Sequence, residues 1–85
     1  MKTFTYTITD ELGIHARPAG ALVKEAKKFE SRLSIAKGPK KADLKKLFAV
    51  MGLGAKRGDD LVIEAEGADE AAAAASIKAF LKANL

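Results

Sequence analysis

Along residues 2–8, KTFTYTI, apolar and polar positions alternate, with Phe4, Tyr6 and Ile8 on one face and Thr3, Thr5 and Thr7 on the other. A period of two with β-branched threonine predicts a half-buried strand. The period changes after DELG. From Ala16 to Phe29 the apolar positions are Ala19, Leu22, Val23, Ala26 and Phe29, a helical stripe that leaves Lys24, Lys27 and Lys28 on the wet side. Pro18 is tolerable only in the first turn of such a helix, so the helix starts at about His15–Arg17.

Alternation returns at Leu33 and Ile35, set against Ser34 and Ala36, and predicts a second strand. KGPK reads as a turn and KADL as a short, weakly marked third strand. LFAVM, residues 47–51, is long enough only for one or two helical turns and stops at Gly52 and Gly54. Leu61, Ile63 and Ala65 line one face of a fourth strand. Beyond Asp69 an alanine-rich run carries Ala73, Ile77, Phe80 and Leu81 at helical spacing, with Asp69 and Glu70 placed against its positive N-terminus. The order is β-α-β-β-α-β-α. Because the second and third strands form a hairpin, the reading is an α+β fold with a mostly antiparallel sheet and helices on one face.

Composition narrows the chemistry. The 85 residues are expected to form one domain, 1–85, able to bury roughly 60–65% of the unfolded-chain surface. With no cysteine and one histidine, disulfide frameworks, thiol nucleophiles and polyhistidine metal sites drop out, and no cofactor is called for. The N-terminal segment has no apolar leader-like core, and no stretch approaches a membrane span, so a cytoplasmic soluble domain is expected. The net charge of +4 is uneven: residues 1–46 carry 11 Lys/Arg against 5 Asp/Glu, and residues 47–85 carry 4 against 6. A basic first half suits a surface that docks an acidic partner.

The one histidine lies in GIHARPAG, just before the first helix. An imidazole there meets unpaired backbone N–H groups and a partial positive charge, a field that disfavours imidazolium and leaves the ring a nucleophile. A phosphoryl group on the ring would face free first-turn amides, a known anion-binding geometry. Arg17 can add a charge-assisted contact, and Pro18 fixes the backbone while removing one N–H that would otherwise lack a partner. Gly13 lets the preceding loop turn sharply. A lone histidine at a helix start is more often an incidental polar residue, so these residues alone do not decide the matter.

The longer string GIHARPAGALVKEAKKF resembles the active-site segment of the HPr family, the histidine-containing phosphocarriers of the bacterial phosphoenolpyruvate-dependent sugar phosphotransferase system. LKKLFAVMGLGAKRGD at 44–59 and VIEAEGADE at 62–70 also resemble HPr segments at matching positions, so the likeness runs over essentially the whole chain. It implies an open-faced β-sandwich with a four-stranded antiparallel sheet and three helices. It implies that His15 takes a phosphoryl group on a ring nitrogen, Nδ1 in the family, from phosphorylated Enzyme I and passes it to IIA domains of sugar permeases. By the same match Arg17 neutralises the phosphate, and Lys24, Lys27, Leu47, Phe48 and Met51 form the docking face. The chain would then be a monomeric phosphohistidine carrier rather than a stand-alone enzyme.

The sequence departs from many HPr proteins of Gram-positive bacteria at Lys46, where those carry a regulatory serine; Ser31, Ser34 and Ser76 lie elsewhere and read as structural. Two other functions share parts of this pattern. A regulatory homologue in a nitrogen-type relay would keep the same His15–Arg17 pair. A small basic RNA-binding module would need exposed aromatics on its sheet, whereas Phe4, Tyr6, Phe29 and Phe80 fall on expected core faces and Phe48 alone is no platform.

Overall fold

The computed structural model describes residues 1–85. Its elements are β1 (Lys2–Thr7), α1 (Ala16–Ala26), β2 (Arg32–Lys37), β3 (Lys40–Asp43), α2 (Leu47–Met51), β4 (Asp60–Glu66) and α3 (Glu70–Asn84). The strands form one sheet in the order β1-β4-β2-β3, and every neighbouring pair is antiparallel. The α+β class, the element order and the open-faced sandwich expected from the sequence all hold.

Register explains why one sheet face is buried and the other wet. Phe4 pairs with Ile63 and Tyr6 with Leu61, while Ile35 pairs with both Ile63 and Ala42. These side chains share the helix-covered face. On the opposite face Thr5 meets Val62, and Ser34 meets Glu64 and Asp43. A one-residue slip would turn both sets over, so the apolar pattern pins the register. Four of the five aromatics (Phe4, Tyr6, Phe29 and Phe80) pack against the core, and the open face carries threonines and charged groups instead. It has no aromatic platform for nucleic-acid bases.

Three helices cover the apolar face. α1 buries Ala19, Leu22, Val23 and Ala26, the stripe read from the sequence. Sequestering Leu22 and Val23 contributes about 1.5–3 kcal/mol each. The helix is shorter than its apolar period suggests: it ends at Ala26. Lys28 and Phe29 then donate three residues back, to Glu25 and Ala26, at 3.2 Å each. That tight turn carries Phe29 out of the helix and half-buries it against the core. α3 packs over β1 and β4 through Ala73, Ile77 and Leu81, and α1 packs against both α2 and α3. α2 buries only Val50. It stops where the sequence places the stop: Gly52 is the C-cap, right-handed at φ −66°, and the left-handed residue follows at Gly54, φ +63°.

Asp69 and Glu70 lie at the N-terminus of α3, as expected. The bonding of Asp69 there is long-range. Asp69 stands at the N-cap of α3 but makes no capping hydrogen bond there. Its carboxylate accepts instead from the amides of Glu30 and Ser31, both at 2.9 Å, and from the Ser31 hydroxyl. The three serines have structural partners: Ser31 is buried against Asp69, Ser76 donates to Glu25 at 2.6 Å, and Ser34 donates to Glu64 at 3.4 Å.

Candidate functional site

His15 is the N-cap residue of α1, with extended backbone and no capping hydrogen bond from its ring. The first backbone bond of the helix runs from the Ala19 amide to the His15 carbonyl at 2.9 Å. Pro18 has no N–H, and the amides of Ala16 and Arg17 find no backbone acceptor. No acidic residue occupies the first turn. The half-buried imidazole therefore stands beside two open donors and the exposed Arg17.

The loop leading to His15 is held from three sides. The amides of Thr9 and Asp10 donate to the Leu85 main-chain oxygen at 2.6 and 2.8 Å. The Leu12 amide donates to Asp10 Oδ1 at 2.8 Å and the Gly13 amide to the Asp10 carbonyl at 3.0 Å, an Asp-led turn. The Ile14 amide donates to the Ala55 carbonyl at 3.0 Å. Gly13 is needed for more than a sharp turn: its φ is +64°, and a β-carbon there would lie 2.3 Å from the Ala55 oxygen and 2.7 Å from Lys56 Cα. The 55–56 loop is thus the buttress behind His15, a contact across some forty residues that local pattern does not reveal. The turn itself was legible, since Asp10 and Gly13 have the i and i+3 spacing of a type I turn.

The side chains expected to dock partners all reach solvent, in different degrees. Lys24 and Lys27 are exposed on α1, Phe48 is 84% exposed on α2, and Leu47 and Met51 are half-buried against the core. Arg17, Lys24, Lys27 and Lys46 have no ion pair, whereas neighbouring Lys28 is engaged by Glu25 at 2.9 Å. Lys46 is the N-cap residue of α2 and offers it no cap. Neither concavity of the molecule includes His15; the larger, about 620 Å³, lies on the open sheet face by Ser34, Lys41, Asp43 and Glu64. An imidazole on an open surface suits contact with a docking protein better than with a small substrate in a cleft. No cluster of His, Cys, Asp or Glu could hold a metal ion, and no helix is long and apolar enough to cross a membrane.

This fold recurs in known proteins. A family model described as "PTS HPr component phosphorylation site" matches residues 2–83. The phosphocarrier protein HPr of Mycoplasma genitalium is 45% identical over 85 residues, covering 99% of this chain and 97% of that protein. HPr-C-His from Thermoanaerobacter tengcongensis superposes with a TM-score of 0.93 at 35% identity, covering 98% of this chain and 93% of that one. An HPr dimer from the same organism has a TM-score of 0.78 at 35% identity, covering 98% of this chain and 95% of that one. Fold and family together define a component of the phosphotransferase system. The chain belongs to the HPr family, the phosphocarrier proteins of that system.

Proposed function

We propose that His15 accepts a phosphoryl group on Nδ1 from phosphorylated Enzyme I and hands it to IIA domains of sugar permeases. The observation that carries this reading is a solitary histidine at the start of α1, its ring making no cap, with two open amides and an unpaired arginine beside it. The deprotonated ring nitrogen donates its lone pair to phosphorus. An N–P bond forms as the bond from phosphorus to the donor's leaving atom breaks, and the other ring nitrogen keeps its proton. The phosphate oxygens then face the Ala16 and Arg17 amides and the helix N-terminus, where negative charge is favoured. Arg17 adds a charge-assisted contact. Onward transfer runs the same exchange toward the acceptor.

Phe48 is the anchor of the docking face, with Leu47 and Met51 beside it, and Lys24 and Lys27 steer an acidic partner. The working form is a cytoplasmic monomer, a reading supported by one chain carrying the ring, the arginine and the docking side chains. Incubation with phosphoenolpyruvate and Enzyme I tests the assignment. Mass measurement should find one acid-labile phosphate on the wild type and none on His15→Ala. Labelling of the alanine variant would move the acceptor elsewhere.

A further inference from the structure

The peptide between Ala55 and Lys56 is the surface against which the chain turns into His15. Its carbonyl accepts the Ile14 amide at 3.0 Å, and a β-carbon on Gly13 would strike its oxygen and Lys56 Cα. A trans peptide is planar, with its N–H pointing away from its carbonyl, so a bond to either end fixes the same plane. That N–H belongs to Lys56 and donates to Asp59 Oδ2 at 2.8 Å. Ile14 and Asp59 therefore hold one plane between them. Turning it away from Ile14 would break the Asp59 bond as well.

Lys37, at the end of β2, completes the clamp. Its ammonium lies 3.1 Å from Asp59 Oδ2, the same oxygen that takes the Lys56 amide. It also donates to the Gly54 carbonyl at 3.1 Å, which lies in the plane of the preceding peptide. Two successive peptides, 54–55 and 55–56, are thus oriented by one lysine and its carboxylate partner. Asp59 is anchored in turn: its amide donates to the Lys56 carbonyl at 2.9 Å, and its carbonyl accepts the Ile8 amide at 3.0 Å. The two side chains are 33% and 31% exposed, so salt screens the pair less than one in open water. Lys28 and Lys41, by contrast, each engage a single carboxylate.

Resting on the reading of His15 as the phosphoryl acceptor, we propose that Lys37 and Asp59 are positioning residues for phosphoryl transfer. Their side-chain bonds go to the 54–59 loop and not to the ring. Through the Ala55 carbonyl they hold the Gly13–Ile14 backbone that aims the imidazole. A reacting group held slightly out of line slows the chemical step without loosening the complex. The test is transfer from phosphorylated Enzyme I to wild type, Lys37→Met, Lys37→Arg and Asp59→Asn, with rates followed against carrier concentration. Lys37→Met should lower the saturating rate about tenfold. Its KM should stay within about twofold of wild type, because neither residue is among those assigned to the docking face. Lys37→Arg keeps the charge and can serve both acceptors, so it should restore the rate. Asp59→Asn keeps an acceptor for the Lys56 amide but loses the charge, and should fall between. Hydrogen exchange supplies a readout apart from activity. The Ile14 amide should be protected in the wild type and exchange about tenfold faster in Lys37→Met, while the Leu22 and Ile63 amides keep wild-type rates. An unprotected Ile14 amide in the wild type, an unchanged saturating rate in Lys37→Met, or a rise in KM alone overturns the positioning role and leaves His15 as acceptor. So does a loss of rate that Lys37→Arg fails to restore. Failure of the wild type to be labelled overturns both readings.

Discussion

The N-termini of α3 and α1 both sit beside a glycine that lets two backbones touch. Gly67 lies against Ser31 in one case and Gly13 against Ala55 in the other. Around α3 the chain supplies its own anions. Asp69 binds the start of β2 through three donors, and Glu70 takes the Gly67 amide at 3.3 Å and the Met1 ammonium at 2.8 Å. Around α1 it supplies none: the cap is a histidine, the first turn has no acid, and the nearest charge is Arg17. Both helix ends carry the same partial positive charge. One uses it within a carboxylate network that holds the fold together. The other leaves it open, as the proposed exchange of a phosphoryl group at His15 requires.

The sharpest way to break this contrast is to remove one group from each end. Arg17→Ala should slow phosphoryl transfer by about 10²-fold, the usual effect of losing one donor to developing charge. Its melting midpoint should hardly move, because an exposed unpaired arginine contributes little to folding. Asp69→Ala should do the reverse, leaving the amide of buried Ser31 without its acceptor. Its midpoint should fall on the order of 5–10 °C, while transfer below that midpoint stays within twofold of wild type. Thermal melts and stopped transfer assays on both variants check the pair. An Asp69→Ala protein that melts normally but transfers slowly would erase the division of labour.

Acid should separate the two ends more gently. The Ser31 hydroxyl, then the Glu30 and Ser31 amides, hold the Asp69 carboxyl below the usual carboxylate range, and the Met1 ammonium and the Gly67 amide do the same for Glu70. Glu25, Asp59 and Glu64 are lowered by their own hydrogen bonds and lysines. A carboxylate lowered in the folded state stabilises fully above the unfolded value, and that contribution disappears as pH falls through the folded value. Denaturant midpoints should therefore hold above about pH 5 and decline below about pH 4. Asp69→Asn should make the decline shallower, without removing the share of the other four carboxylates. An unchanged acid limb in that variant would mean that Asp69 titrates alike in both states.

The smallest effect is expected at α2, whose N-cap is a lysine with nothing to donate its helix an acceptor. Lys46→Ser should gain about 0.5–1 kcal/mol by supplying a capping hydroxyl. It should also create a substrate for HPr kinase and ATP, whereas the wild type, with Ser31 buried and tied to Asp69, should stay unmodified. Urea melts read the first effect and phosphate incorporation the second. Stoichiometric serine phosphorylation of the wild type would count against a carrier without that switch.

What the sequence determined by itself was everything governed by near neighbours. Period-two runs became β1, β2 and β4, and LFAVM became α2 at the same five residues. Pro18, acceptable only in a first turn, by itself fixes His15 at the helix start. What only the tertiary structure decided were choices among partners far apart in the chain. Asp69 could have capped its own helix, a local bond that its residue type favours, but the amides of Glu30 and Ser31 offered it more donors from 38 and 39 residues away. Phe29 fits the helical period, yet the turn that delivers the chain to Asp69 removes it from α1. Gly13 reads as a turn glycine in either case, and only the approach of Ala55 makes any β-carbon there impossible. Exposure followed the same division: Phe48 was expected on a docking face and is uncovered, but no pattern along the chain states that the fold leaves Leu12 uncovered as well. Periodicity records which face a residue is on, whereas its cover depends on which other element is packed against that face.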